Sequence, residues 1–168
     1  MDQTIAYTKK DWLVHTHYGI GQIKAIEEKG ISGANVRYFR IETTDSTYWM
    51  PIDQMDSEKI RPLSSPEEIQ LVIAVLSRPP QEMSADHNAR KNRIRSVNLQ
   101  NTPEGTARLI RDLRARQQKR GELSMEETSA IRSLKQKLVE EWSLVTGKNA
   151  EKIASKLDDL LNNHHLPA

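Results

Sequence analysis

The chain has 168 residues, 36% of them hydrophobic and 29% charged, with no cysteine and a formal net charge of +2. That composition suits one ordinary soluble domain or two small ones, and it excludes a disulfide framework and a thiolate metal centre. No run of 18 apolar residues is present and the opening MDQTIAYTKK lacks the apolar middle of a signal peptide, so neither a membrane span nor export is expected and the cytoplasm is the expected location.

Up to about residue 63 the pattern predicts short strands: Trp12-Leu13-Val14, Gly19-Ile20-Gly21 followed by Ile23 and Ile26, Val36 to Ile41, and Thr47 to Met50. Turn signals fall at Gly30/Gly33 and at Thr44-Asp45-Ser46. About five antiparallel strands with short connections point to a small curled barrel. In HTHYGIGQI, residues 15 to 23, the glycines read as a turn or bulge between strands, with Ile20 and Ile23 helping to fill the core, because no phosphate-loop spacing follows. His15 and His17 share a face if the strand continues, but two histidines without a third ligand make a poor metal site.

From residue 65 helices are predicted. Ser65-Pro66-Glu67-Glu68 is a cap followed by an N1 proline, and the helix it opens should stop at Arg78-Pro79-Pro80. The segment Ala85 to Leu99 reads as a short helix with a positively charged outer face. Thr102-Pro103 opens a helix with Leu109, Ile110 and Leu113 inward, and Ser124 with Glu127 forms a capping box for another that ends at Gly147. A last helix carries Ile153, Leu157, Leu160 and Leu161, and His164 to Ala168 reads as a frayed tail. The expected fold class is α+β: a β module over 1–64 and an all-α module over 65–168.

Charge is unevenly spread. Residues 78 to 120 hold 11 Lys/Arg against 4 Asp/Glu, a surplus of +7 in a nearly neutral chain. Within it Arg90, Lys91, Arg93, Arg95, Arg108, Arg111, Arg114 and Arg116 have only Glu104 and Asp112 among them, and Arg108, Arg111 and Arg114 recur every three residues, as on one helix face. Such a segment either solvates helix faces or contacts a phosphate backbone without reading sequence. Thr47 to Pro51 ends in proline, which suits a sheet edge open to a partner strand; Trp49 is there either a core residue or an exposed anchor. No nucleophile, paired carboxylates or cofactor motif stands out, so no catalytic residue, metal or cofactor is expected.

In sequence order, Asp11-x-Leu13-Val14-His15-Thr16-His17-Tyr18-Gly19-Ile20-Gly21-x-Ile23, Met50-Pro51-Ile52, Ile60-Arg61, Ala107-x-x-Ile110-Arg111-Asp112-Leu113 and Leu123-Ser124-x-x-Glu127 resemble the CarD/CdnL family of bacterial transcription regulators from about Lys9 to Leu161. The resemblance implies a Tudor-like barrel, shared with transcription-repair coupling factors, that binds the RNA polymerase β subunit, and a helical domain that contacts promoter DNA beside the melted region. Carried onto this chain, the polymerase-binding edge is Thr47, Tyr48, Trp49, Met50 and Pro51. The DNA-binding residues are His87, Asn88, Arg90, Lys91, Arg93 and Arg95, centred on Arg90 and Lys91. His15-Thr16 stands where the family shows Tyr-Pro, Tyr18 replaces its histidine, Lys59 its glycine, and His87 matches its wedge tryptophan. The expectation is a non-enzymatic, monomeric, nucleoid-associated regulator that stabilises the open promoter complex; the alternative is a Tudor-like peptide-binding adaptor without DNA contact.

Overall fold

A computed structural model describes residues 6–31 and 33–163, and the tail expected to fray, 164–168, lies outside the described residues. The chain divides into two compact units, Met1–Leu63 and Ser64–Ala168. Among the described residues five antiparallel strands precede five α-helices, the expected α+β class. Among the described residues no helix is long and apolar enough to cross a membrane.

The first unit is one sheet in the order β4-β3-β2-β1-β5, built from β1 (Trp12–His15), β2 (Gly19–Ile31), β3 (Ala34–Glu42), β4 (Thr47–Pro51) and β5 (Ile60–Pro62). A flat sheet would separate β1 from β4 by about 14 Å, yet the His15 and Tyr48 ring centroids are 5.6 Å apart. The sheet is therefore curled, and Leu13, Ile23, Phe39, Ile41, Tyr48, Met55 and Ile60 fill its concave side. Lys24 is an extra residue in β2, since Ile23 faces Ile41 while Ala25 faces Arg40. This bulge explains the three-residue spacing of Ile23 and Ile26, which a plain strand would put on opposite faces. At Gly21 an added Cβ would lie 2.7 Å from Ile41 Cγ2, so only glycine fits beneath that core side chain. Gly30, expected in a turn, instead lies in β2 opposite Asn35, and the positive φ of +81° belongs to Gly33.

The second unit packs α1 (Pro66–Ser77), α2 (His87–Gln100), α3 (Pro103–Arg120), α4 (Met125–Thr146) and α5 (Ala150–Asn162). The caps are where local chemistry puts them: Ser65 accepts from Glu68 N–H, Ser124 and Glu127 form a reciprocal capping box, and Gly147 ends α4 with φ +68°. The core joins Ile69, Val72 and Leu76 of α1 to Leu109, Ile110 and Leu113 of α3, Leu134, Leu138 and Trp142 of α4, and Ile153, Leu157 and Leu161 of α5. Each such burial contributes about 1.5–3 kcal/mol, which outweighs the modest helix propensities involved.

Candidate functional site

Each unit presents a separate candidate surface. In the β unit it is the free side of β4, which pairs with β3 from Tyr38↔Pro51 to Glu42↔Thr47 and is the last strand on its side of the sheet. Strand alternation sorts the five residues expected there. Tyr48 points into the core at 8% exposure and Met50 packs against the same core, whereas Thr47 and Trp49 face outward and Trp49 is 43% exposed. Pro51 closes the strand, half-buried.

Trp49 is displayed in a fixed pose. Its Nε1–H donates to Glu27 Oε2 at 2.8 Å, and Arg40 Nη1 donates to the other oxygen of that carboxylate at 2.9 Å. Lys29 Nζ lies 4.1 Å from the Trp49 ring centroid and 5.9 Å from that of Tyr38. An indole held at its polar end and capped by a cation has little rotamer freedom left to lose on binding. Glu27, Lys29 and Arg40 do not emerge from sequence, because the Lys24 bulge sets which residues of β2 stand beside β3 and β4.

The turn after β1 is organised by His15, which is 6% exposed. Its Nδ1 accepts from the backbone N–H groups of His17 at 2.9 Å and Tyr18 at 3.2 Å. Strand β1 ends at His15, so the shared strand face expected for His15 and His17 does not form, and Nδ1 of His15 is taken up by the turn. Among the described residues no three of His, Asp and Glu gather as a ligand set. Tyr18 stacks on Tyr48 with centroids 4.2 Å apart, and His15 meets Tyr18 at 4.8 Å. Burial, then the neighbouring His17 and Lys59, push the His15 pKa below the ordinary imidazole value. Burial, with Tyr18 beside it, raises that of the Tyr48 hydroxyl.

In the helical unit the basic segment splits into an inner and an outer set. Arg90, 8% exposed, donates from Nε to Glu127 Oε1 at 2.6 Å and from Nη1 to the Ser84 and Ala85 carbonyls at 2.9 Å each. Arg116 Nε is 3.5 Å from the other oxygen of Glu127. Asp112, 1% exposed, accepts from Arg93 at 2.7 Å, from Arg111 at 2.9 Å and from Gln81 N–H at 2.9 Å. Burial alone would raise the Glu127 pKa, but the Arg90 hydrogen bond, the Ser124 N–H and the charges of Arg90 and Arg116 outweigh it and hold the carboxyl below its ordinary value.

This placement corrects two expectations about the arginines. Arg111 is buried, so Arg108, Arg111 and Arg114 do not form one exposed row. Arg90 sits inside the domain, away from the centre of an exposed basic face. Among the residues left exposed on α2, Asn88, Lys91, Asn92, Arg95 and Leu99 form one stripe at helical i, i+3 and i+4 spacing, with His87 at its start. Glu126 borders that stripe, 3.4 Å from Lys91 Nζ and 4.0 Å from His87 Nε2. Arg93 is only partly exposed and committed to Asp112.

Comparison with known families covers both units. Residues 7–64 match the model described as the CarD-like/TRCF RID domain. Residues 71–158 match that of the CarD C-terminal domain.

Proposed function

Because the chain belongs to the CarD-like family of RNA polymerase-interacting transcription regulators, a non-enzymatic family, we propose that it docks on the polymerase β subunit through β4 and grips promoter DNA through α2, stabilising the open complex. The observation that supports docking most directly is the held Trp49 on an edge strand. A partner strand laid along β4 would satisfy its free backbone groups, while Trp49 supplies the aromatic anchor that interface energetics favour.

On the helical unit the DNA-contacting residues are His87, Asn88, Lys91 and Arg95, and the cations meet phosphate without reading bases. Arg90 and Arg93 serve that face from behind: their ion pairs with Glu127 and Asp112 fix where α2 lies. A protein that binds the open complex better than the closed one shifts the equilibrium toward open by that difference in affinity. The regulator acts as a monomer in the cytoplasm, associated with the nucleoid.

One observation favours the adaptor reading: so many arginines of the basic segment are neutralised internally. The two readings separate on a single set of variants. Trp49→Ala should weaken β-subunit binding by about 2 kcal/mol, roughly thirtyfold. Lys91→Glu with Arg95→Glu should leave β-subunit binding intact and shorten the open-complex lifetime most at low salt. An unchanged lifetime would leave the adaptor without DNA contact; unchanged binding of Trp49→Ala would remove the docking edge.

A further inference from the structure

The β1–β2 turn contains a titratable group that the docking surface does not itself use, and it touches β4 from behind. We propose that His15 is an acid-sensitive latch on the docking strand: neutral, its Nδ1 keeps the turn closed over Tyr48, and a proton on Nδ1 releases the turn and loosens the strand that carries Trp49. The inference rests on the reading of β4 as the polymerase-docking edge and adds a regulation of that edge.

The geometry supplies the mechanism. Nδ1 accepts two backbone N–H groups, from His17 and Tyr18, and an acceptor nitrogen carries no hydrogen. Protonation turns it into a donor facing two donors, so both bonds are lost together. Tyr18 is held by the second bond and stacks on Tyr48 within 18° of parallel, with the His15 and Tyr48 rings inclined at 66° and their centroids 5.6 Å apart. Tyr48 lies between Thr47 and Trp49 in β4. Disordering the turn therefore uncovers a core ring of the docking strand.

The groups around His15 are His17 and Tyr18 from the turn, Tyr48 from β4 and Lys59 ahead of β5, to whose carbonyl Thr16 N–H donates at 2.9 Å. None of these is a carboxylate, so none of these neighbours among the described residues favours a charged imidazole. Burial, His17 and Lys59 all lower its pKa, which closes the latch at neutral pH and confines opening to acid.

The test uses the full chain with purified bacterial RNA polymerase core enzyme. Asparagine at position 15 can still accept a backbone N–H two residues on and does not titrate. From pH 7.5 to 5.5 the wild-type protein should lose about two- to fivefold more affinity than His15→Asn, the scale of a one-unit difference in pKa between free and bound forms over that range. NMR of the wild-type protein alone should show the His17 and Tyr18 amides shifting with the same midpoint as the His15 ring, which checks the latch without a variant. Coincident pH profiles of wild type and His15→Asn with binding intact at pH 7.5, or amides that stay still while the ring titrates, would overturn the inference. Absence of wild-type binding at pH 7.5 would instead overturn the docking reading, and this regulation with it.

Discussion

Replacing Arg90 by leucine removes a guanidinium that is 8% exposed and makes three hydrogen bonds, to Glu127 and to the carbonyls of Ser84 and Ala85. Glu127 is itself 2% exposed and would keep only Arg116 at 3.5 Å and the Ser124 cap. Removing one partner of a buried ion pair costs about 3–5 kcal/mol, chiefly because the remaining charge is stranded. Arg116 offsets part of that, so the loss should fall near 3 kcal/mol. All five helices lie in this unit, so urea unfolding followed by far-ultraviolet circular dichroism reads it directly. At a slope of about 1–3 kcal/mol per molar urea the midpoint should fall by roughly 1–3 M. A variant within about 1 kcal/mol of wild type, but as defective on promoter DNA as Lys91→Glu, would show that Arg90 is a phosphate contact and refute its assignment as a scaffold residue.

Other outcomes follow from the same contacts. Glu127 has a folded pKa below its ordinary value, so its contribution to stability is complete above about pH 5 and is lost as pH falls through the folded value; Glu127→Gln should flatten that acid limb in the same unfolding assay. Glu27→Ala should change stability by less than about 1 kcal/mol, because its pairs are half-exposed. It should nonetheless weaken polymerase binding by about 0.5–1.5 kcal/mol, the cost of ordering a freed Trp49, as read by titration calorimetry. Gly21→Ala should destabilise the β unit by about 1–3 kcal/mol, since its Cβ would strike the buried Ile41 side chain. An unaltered thermal melt by near-ultraviolet dichroism would show that Ile41 can move aside.

What could be read from sequence was local chemistry. Ser65-Pro66, Ser124 with Glu127, and Gly147 each mark a helix end within a few residues, and each end is where they put it. Side-chain fate was less legible because long-range partners decide it. Arg90 and Lys91 are neighbours, one buried and one exposed, and the difference is a carboxylate 37 residues further on. Tyr48 and Trp49 split inward and outward by strand alternation, but the direction of the split depended on which face of β3 met the core. The cluster of Glu27, Lys29 and Arg40 around Trp49 needed the Lys24 bulge to be known first. Two departures from the family pattern, His15 and Tyr18, looked independent in sequence and turn out to touch, with one capping the backbone of the other.

The internal ion pairs also bear on how the helical unit would meet DNA. Glu126 and Glu127, both outside residues 78–120, fold against that segment, which reduces its surplus from +7 to +5 locally. On the exposed stripe of α2 only Lys91 and Arg95 carry full charge. Two phosphate contacts release few counterions, and affinity from that source alone is slight at cellular salt. A surface so sparingly charged would spend little time on the bulk of the chromosome. The proposed attachment to polymerase through the β unit would make its grip substantial, by turning a search in solution into an encounter at an effective concentration near the millimolar range. On the proposed function, weak charge on α2 would thus make occupancy follow the enzyme, so that promoters where polymerase lingers would be the ones held open.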